Sequence, residues 1–181
     1  MQDPTPTTFS AANLDIDKPC TVLTSTDAAD ISGLPYYRTI AANLIDGERT
    51  RCAQGVGAFG LHGVVEVDMV RPLGEITARD LFDRECRGRP SAEPAGPASP
   101  PAVQFEREAD EAHIDPAALT EPPPAPLPVV HGPNCLLANG AHALLLGDRV
   151  AYMRVRQSAG ETDPAATRRL ASLVSFRLSS N

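Results

Sequence analysis

YYRTIAANLIDGERTRCAQGVGAFGLHGVVEVDMV, residues 36–70, reads as strands joined by turns, and it sets the fold class. Tyr36 to Ile45 is strand-like, and Asp46-Gly47 is a dipeptide suited to the φ > 0 conformations of a two-residue hairpin. The return strand carries Arg49, Arg51 and Cys52. After the glycine-rich bend Gly55-Val56-Gly57-Ala58-Phe59-Gly60, the stretch Leu61 to Val70 alternates, with Val65, Val67 and Met69 opposed by Glu66, Asp68 and Val70. Period two is the mark of a half-buried strand.

Helices flank this core. Thr24 with Asp27 forms an N-cap pattern and Gly33 a stop, giving a helix over Ser25 to Ser32. Pro72 and Gly74 end the last strand, after which Thr77 caps a helix to about Arg87, with Leu81 and Phe82 on its apolar side. The second half repeats the logic: strands at Cys135 to Ala138, Ala141 to Leu146 and Arg149 to Arg156, with Gly147-Asp148 as a hairpin turn. A final helix is capped by Thr162 or Asp163, carries Pro164 in its first turn and buries Ala166, Leu170, Leu173, Val174 and Leu178. The expected fold is therefore α+β: an antiparallel sheet with two or three helices packed on it, read as a pseudo-repeat of two halves. Residues 1–17 are expected as a flexible tether, 18–88 as the first half and 129–181 as the second. Residues 89–128 hold eleven of the eighteen prolines and read as an acidic, proline-rich linker or insert.

Cys20, Cys52, Cys86 and Cys135 are well separated and even in number. Zinc sites draw ligands from tight pairs, which these spacings lack, so two disulfides are the better reading. Of the three pairings open to four cysteines, Cys20–Cys52 with Cys86–Cys135 closes one half of the chain each. Bridges of this span stabilise by roughly 4 kcal/mol each on chain-entropy grounds. Such support suits a core with five Phe, three Tyr and no Trp.

The net charge of -7 and the lack of a basic run give nucleic acid or anionic lipid no electrostatic footing at the level of composition. No stretch approaches the apolar length of a membrane span, and the N-terminus lacks the basic-then-apolar order of a secretory signal. Met1-Gln2-Asp3-Pro4-Thr5-Pro6-Thr7-Thr8 instead reads like the polar tether of a mature exported protein. The G-x-G-x-x-G spelled by Gly55, Gly57 and Gly60 precedes a strand rather than a helix, which removes the dinucleotide reading. His62, His113, His131 and His142 are scattered, so no metal or cofactor is expected. An enzymatic reading survives only where His62, His142 or chain-distant carboxylates converge. Tyr152, Arg154 and Arg156 share one strand face and are the candidate ligand-binding set, for an anion or a carbohydrate held by forked hydrogen bonds and stacking. The competing reading is that these arginines discourage edge pairing.

Pro19-Cys20-Thr21-Val22-Leu23-Thr24, followed by Asp27-Ala28-Ala29, resembles the opening of a family of actinobacterial secreted lipoproteins of unknown function. The chain departs from that pattern in lacking an aromatic residue after the second cysteine, where Ala53-Gln54 stands, in its long proline-rich insert, and in showing no lipobox cysteine near its start. The resemblance implies export and an α+β fold, and it brings no activity with it. The functional expectation is a non-enzymatic, secreted or cell-envelope domain that binds a small ligand or partner protein, touching the membrane only through an upstream lipid anchor. The alternative is a structural or assembly adaptor, cytosolic or part of a virion, that uses its insert to contact a neighbour.

Overall fold

The computed structural model describes residues 7–58, 61–87, 128–157 and 160–179. Two helices, α1 (Pro19–Val22) and α2 (Ser25–Ser32), lead into a meander of β1 (Tyr36–Asp46), β2 (Arg49–Ala58) and β3 (Leu61–Val70). Helix α3 (Ala78–Cys86) follows. The chain then supplies β4 (Asn134–Leu136), β5 (His142–Leu146), β6 (Arg149–Arg156) and helix α4 (Pro164–Ser179). The expected linker 89–128 lies outside the described residues except for Pro128.

The described strands form one antiparallel sheet in the order β1-β2-β3-β6-β5-β4. Its register follows from the alternation. Val65, Val67 and Met69 pair with Val155, Met153 and Ala151, so all six point to one face. There they meet Val22 and Leu23 beside α1, Ala28 and Ile31 of α2, and Leu170, Ala171 and Val174 of α4. The opposite face is covered at one end, where Ala78, Leu81 and Phe82 of α3 pack on Val70, Ala143 and Val150. Exchanging the two three-stranded meanders leaves the strand order unchanged, yet α3 and α4, the helices that follow them, pack on opposite faces.

Both disulfides join a helix to a strand, Cys20 of α1 to Cys52 of β2 and Cys86 of α3 to Cys135 of β4. Local chemistry fixes the helix starts: Thr24 and Asp27, then Thr77 and Asp80, form reciprocal capping boxes. Gly33 closes α2 in the left-handed conformation at φ 69°.

Three expectations need correcting. Residues 7–17, expected within a flexible tether, lie against the domain. Thr7 exchanges hydrogen bonds with Ser25, Leu14 and Ile16 pack on the core, and Asp17 pairs with Arg149 at 2.6 Å. The glycine-rich bend is no bend through Ala58, because β2 continues through Gly55 and Gly57, paired with Val64 and His62. The first hairpin turn is centred one residue later than expected, on Gly47-Glu48, because Asp46 still pairs with Arg49.

Candidate functional site

Beside α3, the middle of the second face of the sheet is polar. Glu66 is only 3% exposed, and it survives there because two arginines from β6 neutralise it. Arg154 Nε donates to its Oε1 at 2.7 Å and Arg156 Nη2 to its Oε2 at 3.2 Å. Asp68, two residues along, takes a forked pair from Arg51 at 2.7 and 3.1 Å, with Arg49 Nη1 at 3.5 Å. Tyr152 stands opposite Asp68 in the ladder. Burial first, and the adjacent Glu85 carboxylate second, keep its hydroxyl protonated far up the pH scale. That hydroxyl is buried and finds no hydrogen bond of good geometry among the described residues.

The three sequence candidates therefore share a face but not a free charge. Arg154 is committed to Glu66, and the cleft of about 230 Å³ that it shares with Tyr152 also contains Glu66, Asp68 and Glu85. The edge-protection reading is corrected too, since β6 lies inside the sheet between β3 and β5. These arginines are there to balance buried acids. Carboxylate and guanidinium are brought together from residues 66 and 154 only by the β3–β6 pairing.

Arg156 differs from Arg154. It reaches past the ladder into a second cavity, of about 460 Å³, at the end of the sheet. Tyr37, Arg38 and Ile40 of β1 form one wall, and His62, Val64 and Arg156 the other. Gly55 and Gly63 lie between them. A methyl on Gly55 would stand 3.1 Å from the Arg38 carbonyl oxygen and 3.3 Å from Ile40, so the bare backbone is what admits the β1 wall. On Gly63 it would meet the Arg156 carbonyl oxygen at 2.8 Å. Two glycines of the rejected phosphate-binding motif, Gly55 and Gly57, thus belong to a strand, and one of them shapes this groove. Strand-interior glycine often marks such close approach, and it was the available sequence signal.

The groove's electrostatics run against those of the chain. Among the described residues lining it are two arginines and a histidine, and no aspartate or glutamate. Arg38 is exposed, makes no ion pair among the described residues, and rests 5.6 Å from the Tyr37 ring centroid. Arg156 spends one nitrogen on Glu66, and its buried Nε has no hydrogen-bond partner among the described residues. A smaller cavity of about 200 Å³ shares Val56, His62, Gly63 and Arg156 with the groove and extends it toward Leu34 and Asp163. Asp163 is occupied as the cap of α4, accepting from Ala166 N at 2.9 Å.

No protein-family model, curated protein or solved structure matches the chain.

The histidines do not converge. His62 opens into the groove, whereas His142 on β5 is buried, with its Nε2 2.9 Å from Asn134 Oδ1. Burial first, and the charge of Arg168 second, lower the His142 pKa to about 4. His113 lies outside the described residues. Among the described residues no group of three His, Cys, Asp or Glu side chains is placed to hold a metal ion, and no helix is long and apolar enough to cross a membrane.

Proposed function

We propose that this chain is a non-enzymatic, exported binding module of the cell envelope, and that the groove between Tyr37, Arg38, Ile40, His62, Val64 and Arg156 is its binding site. One observation carries the site: a cavity of about 460 Å³, with an apolar floor and basic walls that hold no acid among the described residues, in a chain of net charge -7. A concave, mainly apolar surface with a few convergent polar groups, in the range of roughly 300–1,000 Å³, is the ordinary form of a small-ligand site. The two disulfides fit an oxidising compartment. Export, kinship with the actinobacterial secreted lipoproteins that the Pro19–Thr24 opening resembles, and a lipid anchor upstream extend that fit. The symmetric strand order supports reading the two meanders as a pseudo-repeat, with α3 and α4 having diverged in the face they cover.

Two measurements test this reading. Non-reducing peptide mapping of protein recovered from its native compartment should return the Cys20–Cys52 and Cys86–Cys135 peptides, and four free thiols would overturn export. Titration of isotopically labelled, oxidised protein with a fragment library of mixed charge should shift the backbone amides of Arg38, Gly55, His62 and Gly63. Val64→Trp, which fills the groove, should abolish those shifts. Shifts scattered over the surface, or unaffected by Val64→Trp, would remove the groove as the site.

The adaptor reading has one observation of its own. The outer strand β1 exposes Tyr37, Ile40, Leu44 and Ile45, the last at 74%. Exposed apolar edges of this kind mark association surfaces. Light scattering over a wide concentration range decides: a protein that stays monomeric, with intact disulfides, counts against self-assembly.

A further inference from the structure

Resting on the groove as the binding site, we infer that its ligand is a free, single-chain organic carboxylate: an anionic head joined to an apolar body.

The head is assigned by the basic groups. Arg38 and Arg156 sit on opposite walls, one from β1 and one from β6, with His62 beside them. Arg38 makes no ion pair among the described residues. Arg156 gives only Nη2 to Glu66, at 3.2 Å, so Nη1 makes no hydrogen bond within the described protein. A guanidinium with spare donors is a fork suited to a planar carboxylate. Arg154 and Arg156 share the one carboxylate of Glu66 and Arg38 has no ion pair among the described residues, so the local surplus is two positive charges, enough for one small anionic group and too little for a polyphosphate. A cation would meet two arginines and no lining acid.

The body is assigned by the floor. Ile40, Val56 and Val64 line the groove with the bare backbone of Gly55 and Gly63, and Tyr37 adds an exposed ring at its mouth. This surface offers area for apolar burial, with the polar groups Arg38, His62, Arg156 and Gln157 gathered on its walls. A smaller cavity continues past Val56 to Leu34, lined also by Ser32, Gln157 and Asp163, and gives room for an unbranched chain.

The experiment compares three probes of equal chain length on the oxidised protein by backbone amide shifts: decanoate, decanol and decyltrimethylammonium, each below its aggregation concentration. Decanoate should bind about tenfold more tightly than decanol, the value of one charge-assisted hydrogen bond, and the cation should not bind. Arg38→Gln changes an exposed side chain outside the core, so the fold should be retained. It should weaken decanoate about fivefold while leaving decanol unchanged, and added salt should act in the same direction. Equal binding of all three probes, or an Arg38→Gln variant that binds decanoate as well as the parent, would overturn the carboxylate while leaving the groove as the site. No shift at Arg38, Gly55, Gly63 or Val64 with any probe would overturn both. Phosphatidylglycerol vesicles form the last arm: vesicle binding that decanoate does not compete away would reassign the anionic group to a membrane headgroup.

Discussion

Acid should weaken this protein from about pH 6.5 downward, and His142 is the reason. The ring is 2% exposed. Asn134 donates its amide to the Gly132 carbonyl at 2.8 Å, which turns its oxygen toward His142 Nε2. The ring is thereby held as the neutral Nε2–H tautomer. Burial and then Arg168 bring its pKa to about 4, against 6.5 in the unfolded chain. Between these values the unfolded chain binds the proton and the folded one does not, so stability falls as pH falls. The full difference corresponds to about 3 kcal/mol, fully present above pH 6.5 and lost by about pH 4. Asp15, Asp27, Asp80 and Asp148 are also held below their ordinary value of 3.8, so their contributions are lost mainly below this window. Urea unfolding by circular dichroism, with disulfides intact, should show a slope of about 1 kcal/mol per pH unit near pH 5. His142→Gln keeps a donor for Asn134 but cannot titrate, and it should flatten that slope at a cost of about 1–2 kcal/mol at neutral pH. A parent protein with constant stability from pH 6.5 to 4.5, or an unchanged slope in His142→Gln, would refute the reasoning.

Other perturbations separate the remaining structural claims. Glu66→Gln removes the counter-charge of Arg154 and Arg156 and should cost about 1–2 kcal/mol by urea unfolding, because the two guanidinium groups are partly exposed and the amide oxygen still accepts one hydrogen bond. Gly63→Ala should cost about 1–3 kcal/mol, since its methyl meets a backbone carbonyl at 2.8 Å, and thermal melting reads the loss. Replacing Cys86 and Cys135 together by serine should lower stability by roughly 4 kcal/mol, with α3 the first element to lose amide-exchange protection.

Much of the sheet could be read locally. Leu61 to Val70 alternates because one face is buried under α1, α2 and α4 while the other carries the paired acids Glu66 and Asp68 beside α3, and Gly147-Asp148 has the backbone freedom its turn requires, with Gly147 at φ 58°. The capping boxes at Thr24 and Thr77 were equally local. What escaped was set by chain-distant neighbours. Glu66 reads as a solvated acid until β6, entering from the far half, lays Arg154 beside it. Gly55 reads as a bend until Ile40 is seen lying over it. Leu14 and Ile16 are too few to signal an element, and they order only because the core offers them a surface. The groove draws on β1, β2, β3 and β6, so no window of sequence contains it.

The bond between Cys86 and Cys135 also changes what backbone cleavage can do. Every residue from 87 to 134 lies within a covalent ring, so one cut anywhere in that span opens the ring without releasing a fragment. The nicked protein would keep its mass except for one added water, run as two pieces only after reduction, and retain β4, β5, β6 and α4 tethered to the first meander. The chain can therefore be processed in its proline-rich span, or lengthened there, while the two halves of the sheet remain one molecule.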